Sequence, residues 1–160
     1  MEISTIITSI LIPLIVAVIV TLITAYISLK QFRKERVWDL KVETYNGIFS
    51  ALYDLDEFWR NTLHEYETGD EPEDWDEVTK AYNDAKYHVG EVVFRGEFII
   101  NKDAVKLLHI LTSHLDEKEP GFLKDMLTNN TKENFYRKQR EILKITLTQL
   151  RSIARKDIKV

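Results

Sequence analysis

Apolar residues follow two different patterns along this chain. From Ile3 to Leu29 they are continuous: 27 residues in succession carry no charge. As a helix this run would be about 40 Å long at roughly 1.5 Å per residue, against a bilayer hydrocarbon core of about 30 Å. It predicts a transmembrane helix within residues 1–29. From Val37 onward the pattern is periodic. Trp38, Val42, Tyr45, Ile48, Phe49, Leu52, Leu55, Trp59, Leu63 and Tyr66 recur at steps of three and four, which draws one face of a helix about 30 residues long. Neither Gly nor Pro separates it from the apolar run, so the two are expected to be continuous.

Thr68-Gly69-Asp70-Glu71-Pro72 interrupts this face and predicts a tight hairpin, with Gly ending one helix and Pro opening the next. Trp75, Val78, Tyr82, Ala85, Val89 and Val92 then alternate steps of three and four, a heptad-like seam. Val92-Val93-Phe94 and Phe98-Ile99-Ile100 have the composition of strands. A lone short hairpin beside long helices is not stable by itself, however, so a helix end and an apolar loop are expected there. Asn101 is the expected N-cap of a third, shortest helix that carries Ala104, Leu107, Leu108, Leu111 and Leu115 and is ended by Pro120 and Gly121. Phe122 to Leu127 adds one further turn or two. Asn130 with Glu133 fits a relaxed capping box for the last helix, whose buried side is Phe135, Gln139, Ile142, Leu143, Thr146, Leu150, Ile153 and Ala154. Short connections favour antiparallel neighbours. The expected fold class is therefore all-α, an N-terminal transmembrane helix followed by an antiparallel four-helix bundle. The expected organisation is an anchor at 1–29, a basic juxtamembrane segment at 30–36 and a helical bundle at 37–160.

The run itself has internal features. Pro13 lacks a donor and crowds the carbonyl of Ser9, which predicts a mild kink relieved by the hydroxyls of Thr8 and Ser9. Ala17, Thr21, Ala25 and Ser28, with Thr24, share about 100° of the helical wheel. Such a stripe of small residues either admits a second helix or simply meets lipid. Glu2 is the only charged residue before the run and no small-residue cleavage site closes it, so a retained anchor is expected rather than a signal peptide. Tyr26 and Phe32 bracket its end, where aromatic rings suit either the headgroup level or a packing contact.

Charge gives the chain a direction. Lys30, Arg33, Lys34 and Arg36 follow the run and no cation precedes it, which predicts an external N-terminus and a cytoplasmic remainder. Residues 54–77 hold eleven acids against Arg60 alone, while residues 132–160 hold nine cations against three acids. In an up-down bundle the acidic hairpin lies far from the start of the first helix and the end of the last helix returns beside it. Arg151, Arg155, Lys156 and Lys159 are then expected to join Lys30, Arg33, Lys34 and Arg36 at the anionic leaflet, each cation worth up to about 1 kcal/mol near the surface. On the last helix Arg137, Arg140, Lys144, Arg151 and Arg155 form a basic stripe. It reads as a solvated face, a surface for headgroups or an acidic partner, or a nucleic-acid contact. The overall charge of −4 and the lack of interleaved exposed aromatics disfavour nucleic acid.

Candidate chemistry is sparse. No cysteine occurs, which excludes disulfides, thiolate metal sites and a thiol nucleophile. His109 and His114 are five apart instead of the four that aligns ligands on a helix, and there is no Glu-x-x-His, so no metal and no cofactor are expected. His88 and Glu91 are spaced as a surface pair. Ser50, Ser113 and Ser152 have no readable His–acid arrangement. Phosphate-binding, dinucleotide and hydrolase signatures are absent. No catalytic residue is assigned. Trp38, Trp59 and Trp75 fall on the periodic faces and are expected to pack in the core.

The basic Phe32-Arg33-Lys34-Glu35-Arg36 junction, Trp38, Lys41 and Tyr45, the Ile48-Phe49-Ser50-Ala51-Leu52 stretch and the Ile153-Ala154-Arg155-Lys156-Asp157 ending resemble small bacterial single-span inner-membrane proteins with a cytoplasmic helical domain. The members of that group mostly lack an assigned activity. The resemblance implies a bacterial inner-membrane location and a mobile-element or phage connection, and it brings no catalytic residues. The expected function is a membrane-tethered, non-enzymatic interaction module that contacts the lipid bilayer and a protein partner or a second copy of itself. The alternative is a membrane-acting effector that oligomerises through Ala17, Thr21, Ala25 and Ser28 in phage defence or superinfection exclusion.

Overall fold

A computed structural model describes residues 3–118 and 131–159, with side chains from Pro13 onward and that of Glu97 excepted. The described residues are all-helical and contain no strand: α1 (Ile3–Thr68), α2 (Trp75–Arg95), a 3-10 turn at Gly96–Phe98, α3 (Lys102–Leu115) and α4 (Thr131–Ile158). The expectations for Pro120, Gly121, Phe122–Leu127, Asn130 and the hydroxyls of Thr8 and Ser9 lie outside the described residues. The chain divides into two compact units, Met1–Asp39 and Leu40–Val160.

The first unit is helical, with Pro13 inside the helix. Its stretch from Pro13 onward is long and apolar enough to cross a membrane, and its large apolar side chains from Leu14 to Leu29 are exposed. The hydroxyls of Thr21 and Thr24 donate to the carbonyls of Ala17 and Val20 in their own helix, both at 2.8 Å. That removes a polar cost that an apolar medium would otherwise impose.

The second unit is built on α1 from Leu40. At its far end Gly69 takes the left-handed conformation (φ 78°) and donates to the Glu65 carbonyl at 2.7 Å, the usual way to stop a helix without a Cβ penalty. Asp76 and Glu77 in the first turn of α2 complement its dipole. α2 then continues through Val92-Val93-Phe94 as helix and gives way to the 3-10 turn, so this segment is a helix end followed by an apolar connection. Asn101 caps α3, its side-chain oxygen accepting from the Asp103 N–H at 2.7 Å. α3 ends at Leu115, ahead of the expected Pro120. Its last carbonyls find other donors: Glu117 N–H bonds His114 O, and Lys86 of α2 reaches Leu115 O at 3.2 Å.

One core joins all four helices. Ile48, Leu52 and Leu55 of α1, Val89 of α2, Leu108 and Leu111 of α3, and Leu143 and Leu150 of α4 are at most 1% exposed. Burying each such side chain is worth roughly 1.5–3 kcal/mol, as an upper estimate. A second cluster holds Trp59, Leu63 and Tyr136, with Phe58, Tyr82 and Phe135 against it. Phe58 stacks on Tyr82 at 4.0 Å and on Trp75 at 5.6 Å. The core expectation fails at Trp38 and Tyr66, which are 41% and 38% exposed. Trp38 lies before the second unit begins, and Tyr66, in the last turn of α1, meets the Tyr136 ring edge-on at 5.9 Å, so periodicity there names a face that is not fully buried. Conversely, Val105 and Tyr136 are buried without having been expected.

Candidate functional site

Two distant parts of the second unit converge on a carboxylate carried by a third. Asp157, in the last turn of α4, accepts from Lys41 Nζ at 2.6 Å, from Tyr45 OH at 3.0 Å and from the Asn101 backbone N–H at 3.0 Å. Its side chain is 11% exposed and that of Lys41 25%. Burial opposes its charge, but the hydrogen bonds of Lys41 and Tyr45, the Lys41 ammonium and the Asn101 N–H together outweigh burial and hold its pKa below the ordinary carboxylate value. Burial first, and then the Asp157 contact, push the Tyr45 phenol well above its ordinary value, so it stays a neutral donor. This clasp was not foreseen, because Asp157 lies 56 to 116 residues from its three donors in the chain. The one available signal was a lone acid in a basic terminal tract.

The clasp positions the cations beside it. Arg151, Arg155, Lys156 and Lys159 make no ion pair among the described residues. Arg151, Arg155 and Lys159 line two shallow grooves along α4. One, about 350 Å³, is floored by Phe49, Ala154 and Ile158; the other, about 420 Å³, is lined also by Thr148, Ser152 and Lys156. Lys30, Arg33, Lys34 and Arg36 are exposed on the first unit, as are Ala17, Thr21, Ala25 and Ser28.

The basic stripe of α4 is not uniform. Arg140 bonds Asp56 at 3.0 Å, with both side chains about three-quarters buried. Arg137 pairs with Glu67 and, at 2.8 Å, with Glu133. These two arginines are tied to acids, largely of α1, so only Lys144, Arg151 and Arg155 remain as a free stripe. Asp70, Glu71, Glu73, Asp74, Asp76 and Glu77 make no ion pair among the described residues. Most of them surround Trp75 around a concavity of about 520 Å³.

His114, His88 and Ser113 have local contacts. His114 Nδ1 lies 2.8 Å from Glu117. Hydrogen bonds from Lys138 and His114 lower the Glu117 pKa. Glu91 pairs with Arg95 at 3.0 Å instead of with His88, whose ring lies against Gly47: a Cβ there would sit 2.9 Å from Nε2. Ser113 donates to Ile110 O. No group of three metal-ligating side chains occurs among the described residues. Comparison with protein families, curated proteins and solved structures finds no match for this chain.

Proposed function

We propose that this chain is a membrane-tethered interaction module of the bacterial inner membrane that acts by binding, not by catalysis. In this reading α1 crosses the bilayer, and the second unit is a cytoplasmic, antiparallel four-helix bundle. The contacts between α1 and α4 support that topology: residue 41 meets 157, 56 meets 140 and 67 meets 137, so one number falls as the other rises. The observation that carries the function is the separation of unpaired charge. Free cations gather beside the Lys41–Asp157 clasp, near the residue where the second unit joins the apolar helix, and free acids gather beyond Thr68. The basic end faces anionic headgroups, and the acidic end is left for a cationic protein surface.

Topology and partner are tested together in cells. The protein should stay with membranes through alkaline carbonate extraction, and a C-terminal alkaline phosphatase fusion should be inactive; an active fusion overturns the orientation. A photo-crosslinking residue at Glu73 should give one discrete adduct that disappears when Glu71, Asp74, Asp76 and Glu77 are replaced by their amides. An adduct indifferent to those changes, or none, overturns the partner assignment.

A further inference from the structure

Phe94 and Phe98 are 84% and 93% exposed, the two highest values among the large hydrophobic side chains described. Neither lies on the seam that α2 buries: the buried positions of this helix are Ala85, Val89 and Val92. Fully covered, the two rings would bury a few hundred Å², about the size of the largest apolar patch a soluble monomer normally shows. Their place in the fold gives them a direction. Phe98 is three residues before Asn101, whose N–H bonds Asp157, and Asp157 stands between Lys156 and the nearby Lys159. Ile99 from the connection and Ile158 from α4 pack against the same core. The exposed rings and the free cations therefore share one end of the second unit.

Beside the rings, Arg95 is already paired with Glu91. The attraction comes from α4, where Arg155, Lys156 and Lys159 have no counter-ion among the described residues. Exposed apolar rings at the same end of the unit as unpaired cations match one chemistry, the boundary of an anionic bilayer, in which charge meets phosphate and aromatic rings settle at the headgroup level.

We infer that Phe94 and Phe98 form an aromatic wedge that inserts shallowly into an anionic lipid surface while Arg155, Lys156 and Lys159 hold the headgroups. This rests on the membrane-tethered reading and adds to it a docked state of the second unit. Ordinary hydrophobic transfer makes each ring worth about a tenfold shift in the docked population.

The absence of native cysteine allows single-site labelling of the full-length protein. An environment-sensitive fluorophore is placed in turn through Phe94→Cys, Phe98→Cys, Lys159→Cys and Asp74→Cys, and the protein is reconstituted in phosphatidylcholine vesicles with or without phosphatidylglycerol. Lipids spin-labelled near the headgroup should quench positions 94 and 98 in anionic vesicles, much less in neutral ones, and should leave position 74 unquenched. Phe98→Ser should lower quenching of the label at 94 by about tenfold in docked-to-undocked ratio. Quenching at 159 without quenching at 94 and 98 overturns the wedge and leaves the tethered reading standing. No quenching at any of the three overturns the basic-end orientation as well. A spectral shift at 94 and 98 that follows protein density and ignores anionic lipid assigns the patch to a second copy of the chain and overturns the inference.

Discussion

Replacing Asp157 by Ala removes a carboxylate and three hydrogen bonds in one step. Hydrogen bonds to a charged group are worth about 1.5–3 kcal/mol each, but they are not additive here. The Lys41 ammonium is partly exposed and can recover water. The Tyr45 hydroxyl, on a residue 1% exposed, and the Asn101 N–H recover it less readily. Asp157→Ala should therefore cost about 2–4 kcal/mol, and Tyr45→Phe, which leaves the ion pair intact, about 1–2 kcal/mol. Amide hydrogen exchange read by mass spectrometry on the full-length protein in micelles locates the loss. Peptides covering 96–105 and 41–49 should exchange between about 30- and 900-fold faster in Asp157→Ala, with much smaller changes in 75–90. The pH dependence has a definite sign. The folded-state pKa of Asp157 lies below the ordinary value of 3.8, so its stabilisation is complete above that value and is lost as pH falls through the folded pKa. Asp157→Asn should be less stable than the parent at neutral pH and converge with it in strong acid. Unchanged exchange at 96–105 in Asp157→Ala would refute the clasp.

Two further predictions concern α1 and α4. Gly47→Ala gains helix propensity of about 1 kcal/mol but drives a methyl into the His88 ring, so it should stabilise only when His88→Ala is already present; equal effects in both backgrounds, measured by thermal unfolding, would disprove the close approach. Arg140→Gln should cost about 1–2 kcal/mol by leaving the largely buried Asp56 carboxylate without its partner, while Arg155→Gln should change stability by less than about 0.5 kcal/mol, and urea titration separates the two.

Local chemistry was the legible part of this molecule. The all-helical class, the Gly69 stop, the Asn101 cap and the α2 seam each depend on residues within a turn or two of one another, and each is present. A helical wheel names a face but not what lies opposite. It could not tell the covered Trp59 from the exposed Trp38, or an Arg137 committed to Glu67 from a free Arg155. Phe94 and Phe98 fall in the helix end and apolar loop that the sequence led one to expect, but their exposure was not legible from it. The clasp brings Asp157 to donors that no periodicity relates to it. Charge arithmetic came closest, since it placed acid and base apart along the chain, but it counted Arg137 and Arg140 as free when acids hold them.

The clasp also imposes an order in time. A ribosome completes the apolar run at Leu29 and must add 128 more residues before Asp157 exists. At about 5–20 residues per second that interval is roughly 6–26 s. Lys41 and Tyr45 wait through most of it for their common acceptor, Asn101 waits through its last 56 residues, and the apolar face of α1 waits for the helix that will cover it. The run is therefore committed to its surroundings while the rest of the chain is still open. Any factor that holds the nascent chain in those seconds meets an extended amphipathic helix, not the closed unit of the mature protein.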